Sequence, residues 1–386
     1  MRRVMWRRAV WTCLLIGLVY LAGWGCLLSP SGDPAPLTVG AGLQAEYVVA
    51  GAQHPSALAF AADGRVFYTE KNTGRIRVIV GGTLVADPVA AVPVNYAGDR
   101  GLLGIALHPD FAQNGRIYVF YTRSDTGQTT NDAQAVIDNR VVYIETVNNA
   151  VVGSEVFVAS LPADQGTTRV SGRLAFATDR KLLVAIGDLT VDTSARDNNV
   201  LVGKILRYND DGSIPDDNPT AGSAVYARGL RDVRGLCVDP DTGTPLALER
   251  NTAGADELNR IQAGGNYGWP DVTGGADTTA ELAYADDNPD YRDPLLDSGS
   301  SSRGFVGGSF NPSTRYGPHT LAYFFYGEAA SRRVISARMS AARNEVETSS
   351  PFAAGFPGTI TDVAFTPAGT LYVACDNAIF RLAPTP

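Results

Sequence analysis

The chain is poor in the residues that most often carry chemistry. Histidine occurs only at His54, His108 and His319. Four cysteines form no CxxC pair, which leaves thiol-redox chemistry and cysteine-rich zinc sites without support. No HExxH, GxSxG or phosphate-loop motif is present. The body has no basic cluster, so the phosphate-neutralising surface that nucleic acids require is missing. Helical periodicity is scarce beyond the N-terminal segment.

Several weaker signals also fall away. GAGLQA (Gly40–Ala45) fits a loose dinucleotide fingerprint but lacks its strand–turn–helix setting and reads as linker. His54 and His108 precede Pro55 and Pro109 in hairpin-like phrases, where a turn role outweighs catalysis. The acidic run DDNPDYRD (Asp286–Asp293) suits a solvated loop better than a cation site.

What is present describes an ordered β protein. The 386 residues are 45% hydrophobic and 19% charged, a globular composition. Forty-one Gly and 22 Pro, with many Val, Thr and Tyr, predict short strands joined by turns. At the N-terminus Arg2, Arg3, Arg7 and Arg8 precede an apolar run from Ala9 to Leu28, followed by a polar, Pro-rich stretch. Basic residues followed by an apolar core make an export signal. The run is also long enough for an uncleaved membrane anchor, and Cys26 after Gly25 offers a lipoprotein processing site. These three outcomes stay open, and each places the body outside the cytoplasm, in the periplasm, at the cell surface or on a membrane. Residues 1–28 are thus read as signal peptide or anchor, 29–42 as linker and 43–386 as the body. Without the leader's four Arg the formal charge goes from −8 to −12. Cys237 and Cys375 each sit in an apolar strand-like run, and two small core residues are the simpler reading than a disulfide.

One phrase recurs: alternating apolar residues, a polar turn, then a second apolar strand. It appears at Ala57–Glu70, Gly104–Thr122, Arg173–Gly187, Gly235–Glu249 and Asp362–Asp376. Alternation across a short polar loop is a hairpin signature. Aligned on Ala59, Ala106, Ala175, Cys237 and Ala364, the copies step by about 47, 69, 62 and 127 residues, against roughly 40–50 for a propeller blade without insertions. The last step holds one concealed copy, for which Arg303–Met339 is the candidate. Five copies plus one predict an all-β, six-bladed β-propeller behaving as one cooperative unit.

Three phrases go further: GKILRYNDDGSIPDDNP (Gly203–Pro219), YARGLRDVRGL (Tyr226–Leu236) and DELNRIQAGGNYGWP (Asp256–Pro270). With GDRGLLGIALHPDF (Gly98–Phe111) and the GRLAF and IGD phrases (Gly172–Asp188), they resemble the soluble quinoprotein sugar dehydrogenases, the glucose/sorbosone dehydrogenase family. The resemblance runs from Leu43 to Leu382 and implies the six-bladed fold. It also implies sugar oxidation by hydride transfer to pyrroloquinoline quinone (PQQ), with a histidine as base before GRL. Here that place is Arg169, and a guanidinium cannot take the proton. Its acidic neighbour is matched by Thr168, and a polar Gln before GLLG by Asp99. Of the family's PQQ-binding phrase, Arg231 is retained, while Asp232 and Arg234 replace Asn and Gln. Thr359 and Thr361 stand where the family has an arginine pair. ERNT (Glu249–Thr252) replaces the turn whose carbonyls hold the PQQ calcium. A second, structural Ca²⁺ site is matched by Glu257, Tyr267 and Asp277. Two functions are therefore expected to compete. One is an exported propeller that binds carbohydrate, another small molecule or a surface partner. The other is a divergent oxidoreductase holding PQQ or another anionic cofactor through Arg231, Asp232 and Arg234.

Overall fold

The computed structural model describes residues 36–163, 166–252 and 254–385. The expected export or anchor segment, and the linker as far as residue 35, lie outside them. Among the described residues no helix is long and apolar enough to cross a membrane.

Six antiparallel sheets surround an axis. Their innermost strands are Pro55–Phe60, Leu102–Leu107, Ser171–Phe176, Val233–Val238, Phe305–Phe310 and Ile360–Phe365, taken here as blades 1 to 6. Each innermost strand packs against its two neighbours around the ring. Every copy of the recurring phrase supplies an innermost strand and the one beside it, so all five alignment positions fall on the inner ring. The concealed copy is blade 5. Its first hairpin is opened by residues 311–323, which include a short 3₁₀ turn at Pro318–Thr320. Blade 1 crosses the equivalent gap with residues 61–65.

The ring closes by a contribution from both ends of the body. Leu43–Ala50 pairs antiparallel with Ala378–Pro384, completing blade 6, and Arg381 meets Glu46 across the seam at 2.6 Å. The sequence reading of residues 29–42 as linker needs correction here. Leu37–Gly40 is a further edge strand, with Leu37 opposite Ala45 and Thr38 opposite Gln44. GAGLQA is thus the turn of a β-hairpin, with Gly42 at φ 73°. Cys375 is buried and Cys237 partly so, and both are free thiols.

The inner strands approach one another more closely than side chains allow. A Cβ on Gly104 would lie 2.0 Å from the Gly172 carbonyl oxygen, and one on Gly235 would lie 1.9 Å from that of Gly307. The bulges of the inner strands lie at the same end of the ring, between Leu102 and Gly104, Ser171 and Leu174, and Val233 and Gly235. They turn the strand starts and their preceding loops toward the axis. This end is where blades 2, 3 and 4 bring Asp99, Arg169 and Arg231. Gly235→Ala is expected to cost about 3 kcal/mol or more, because backbone must move. Gly42→Ala, with open space around it, should cost only about 1 kcal/mol from its positive φ. Urea denaturation of the two variants measures the difference.

Candidate functional site

The mouth is assembled from chain segments that leave one strand end and enter the next blade. Asp99 precedes the inner strand of blade 2, Arg169 that of blade 3, and Arg231 and Asp232 that of blade 4. Asp99 Oδ2 accepts the Arg169 backbone N–H at 2.9 Å and Arg234 Nη2 at 2.7 Å. Arg234 Nε reaches Asp232 at 2.9 Å, and Arg250 Nη2 donates to Asp232 Oδ2 at 3.0 Å. The result is an alternating chain of charge across three blades. Burial alone would raise the Asp99 carboxyl, yet Arg234, the Arg169 N–H and Arg250 hold it below the usual carboxylate range.

Arg169 has its own carboxylates. Its Nη1 donates to Asp188 Oδ2 at 2.8 Å and to Asp192 Oδ1 at 2.7 Å. Asp188 is fully buried and also accepts the Trp269 indole N–H at 2.8 Å and the Thr190 N–H at 2.9 Å. The segment carrying Asp192 is clamped by Lys204, a buried side chain whose Nζ donates to the carbonyls of Ser194, Ala195 and Val202 at 2.9, 2.8 and 2.7 Å. The Arg231 guanidinium lies 4.9 Å from the Trp269 ring and donates to the Arg250 carbonyl at 3.3 Å. The sequence-predicted residues Asp99, Arg169, Arg231, Asp232 and Arg234 therefore meet at one end of the axis.

A cavity of about 170 Å³ opens beside this chain of charge. Its wall includes His54, Lys71, Arg173, Arg234, Arg250 and Thr361. Lys71 and Arg173 were missed by sequence reasoning. Yet Lys71 follows Glu70 at a strand end as Arg250 follows Glu249, so superposing the repeats would have paired them. His54 does serve a turn, its N–H donating to Asp376 O at 3.1 Å, but it also faces the cavity. Five non-glycine residues with positive φ cluster at this end: His54, Arg169, Ser171, Leu189 and Thr190, the last at 74°. Strain of this kind persists where surrounding contacts enforce it, and it concentrates at functional sites.

The expected calcium ligands make the following contacts within the protein. Glu257 is buried, and its carboxylate accepts Asn259 Nδ2 at 2.9 Å and the Gly274 N–H at 2.7 Å. Burial pushes its carboxyl up to about 7. The Tyr267 hydroxyl donates to Arg260 O at 2.6 Å and accepts the Gln262 N–H at 2.9 Å, a turn-completing role. Asp277 is exposed. Among the described residues no three His, Cys, Asp or Glu side chains converge on a metal position.

The family described as Glucose / Sorbosone dehydrogenase matches residues 52–383. The chain belongs to the glucose/sorbosone dehydrogenase family. Quinoprotein glucose dehydrogenase B of Acinetobacter calcoaceticus is 34% identical over 257 residues, 60% of this chain and 53% of that protein. An uncharacterised protein of Synechocystis is 34% identical over 280 residues, 66% of each chain. The matched stretch thus spans between about half and two thirds of these relatives. Among solved structures, the PQQ-bound aldose sugar dehydrogenase of Streptomyces coelicolor superposes with a TM-score of 0.74 at 25% identity, covering 90% of this chain and 99% of that one.

Within this glucose/sorbosone dehydrogenase scaffold Asp188 generates a pH dependence. Burial, outweighing the Thr190 N–H and Arg169, pushes its carboxyl up to about 6 from an ordinary value of 3.8. The folded state then holds the proton more tightly than the unfolded chain, so this contribution to stability is present below pH 4 and lost as pH rises through about 6. Between pH 4.5 and 7, wild type should lose on the order of 2 kcal/mol more than Asp188→Asn. Urea denaturation across that range tests it; parallel curves would remove Asp188 as the source.

Proposed function

We propose that this propeller binds a carbohydrate or similar small polyol in its mouth cavity and does not oxidise it by the family's route. The observation that carries the reading is Arg169, at the place the family resemblance gives to the base. A guanidinium stays protonated, and this one is held by Asp188 and Asp192. Family sugar oxidation begins with proton removal, which no group at that place can perform.

PQQ bound as a calcium chelate does not fit the residues present. Arg250, in the turn whose family counterpart offers carbonyls to calcium, faces the cavity with Arg234. Two guanidiniums on that side oppose a divalent cation. Thr359 and Thr361 line the wall where the family has arginines, and they offer hydroxyls in place of charge. PQQ and calcium therefore take no part in the proposed function. The leader's composition supports action outside the cytoplasm, where extracellular or envelope carbohydrate is the natural ligand.

His54 supports a second reading, a divergent oxidoreductase. It lines the same cavity, and imidazole is the side-chain type best suited to general-base work. Titration calorimetry of the purified protein with aldoses, paired with dye reduction in the presence of PQQ and Ca²⁺, separates the two. Binding without turnover is expected. Turnover at rates typical of enzymes would overturn the binding reading, and its loss in His54→Ala would assign the base to His54.

A further inference from the structure

Two buried hydroxyls on residues of the mouth-cavity wall have no hydrogen-bond partner among the described residues. One is Ser171 Oγ, on a residue 3% exposed, and the other is Thr361 Oγ1. They come from opposite parts of the inner ring, at the strand starts of blades 3 and 6. A hydroxyl removed from water without a partner costs free energy, and folded proteins leave few of them. Their common location on one cavity points to a polar ligand as the missing partner.

The charged part of the wall has a single sign. Lys71, Arg173, Arg234 and Arg250 all line the cavity, and among the described residues no carboxylate side chain does. The acids that hold these cations in place stand behind them: Asp99 and Asp232 behind Arg234 and Arg250, and Asp362 3.4 Å from Arg173. Burial presses on both Lys71 and Arg173, lowering their affinity for the proton. An anion entering the cavity would relieve that cost. Leu103, Phe305, Val306 and Ile360 complete the wall with apolar surface.

We infer that the mouth cavity is built for a carboxylate-bearing polyol, a sugar acid of the uronate or aldonate class. The carboxylate pairs with the Arg234–Arg250 side, where planar guanidiniums can donate in parallel. Ligand hydroxyls supply the partners that Ser171 and Thr361 lack, and the carbon skeleton lies on the apolar wall. A neutral sugar satisfies the hydroxyls but places no negative charge against the cationic wall; a bare inorganic anion does the reverse. The inference rests on the binding reading above and names its ligand class.

Titration calorimetry at low salt with D-glucuronate, D-glucose and sulfate tests it, with thermal melts confirming that each variant is folded. Glucuronate should bind at least tenfold more tightly than glucose, and its affinity should fall as salt rises. Arg250→Met should bring glucuronate down to the level of glucose. Thr361→Val and Ser171→Gly, the latter compatible with φ 64° at that position, should each weaken glucuronate about fivefold and leave sulfate unchanged. Equal affinity for glucose and glucuronate would overturn the ligand class while leaving the binding reading intact. Sulfate binding as tightly as glucuronate, with both hydroxyl variants silent, would reduce the cavity to an unspecific anion patch and also overturn it. Failure of folded protein to bind either sugar would remove the binding reading itself.

Discussion

The arrangement at the mouth depends on one carboxylate. Asp99 Oδ2 accepts from the Arg169 backbone and from Arg234, and lies 3.6 Å from Arg250. Its partners come from blades 3 and 4, while Asp99 itself belongs to the approach to blade 2. A half-buried charge network of this kind adds little net stability compared with apolar packing, but removing one member leaves the others unpaired at a cost below the roughly 3–5 kcal/mol of a fully buried pair. Its value is positional. Asp99 fixes the backbone that carries Arg169 and holds Arg234, a residue of the cavity wall.

The phrases that relate the chain to glucose/sorbosone dehydrogenases have structural work at this same end. Gly187 of the IGD phrase is hemmed in: a Cβ would lie 1.9 Å from Arg169 O and 2.9 Å from Arg231 O. The next residue, Asp188, donates its N–H to Arg231 O at 2.9 Å and takes the indole N–H of Trp269 from the NYGWP phrase. Three separated stretches of sequence thus interlock around the Arg231–Trp269 stack. They persist as scaffold whether or not a proton is ever removed from a sugar, because their contacts are to one another. From this scaffold Arg234, Arg250, Thr359 and Thr361 line the cavity, while the Arg169 guanidinium is held by Asp188 and Asp192.

Much of the fold was legible because strands announce themselves locally. Period-two alternation across a polar turn located five inner hairpins, and the double-length gap located the sixth, whose long 311–323 connection broke the pattern. The edge strand at Leu37–Gly40 was not legible, since four residues carry too little periodicity and its pairing is fixed by the hairpin with Leu43–Ala50. At the site, Arg169, Arg231, Asp232, Arg234 and Asp99 could be named from phrase alignment, but which of their atoms pair could not. That pairing depends on loops of three blades meeting at the axis. Lys71 and Arg173 escaped notice because each looks locally like an ordinary strand-end cation, and the positive φ at Arg169, Ser171 and Thr190 has no sequence signature when the residue is not glycine. Glu257 and Tyr267 show the opposite case. Their types fit oxygen ligation, and the contacts that the Glu257 carboxylate and the Tyr267 hydroxyl make with Asn259, Gly274, Arg260 and Gln262 could not be read from type alone.

On the proposed reading, this sugar dehydrogenase scaffold carries a cationic cavity held by Asp99 and Asp232 in place of a calcium-linked cofactor site. Equilibrium dialysis of PQQ against the protein, with and without Ca²⁺, tests this most directly. The account predicts that Ca²⁺ does not strengthen whatever PQQ association the cations allow, because two guanidiniums, Arg234 and Arg250, line that cavity and oppose a divalent cation. A stoichiometric PQQ complex that forms only with Ca²⁺ would contradict it.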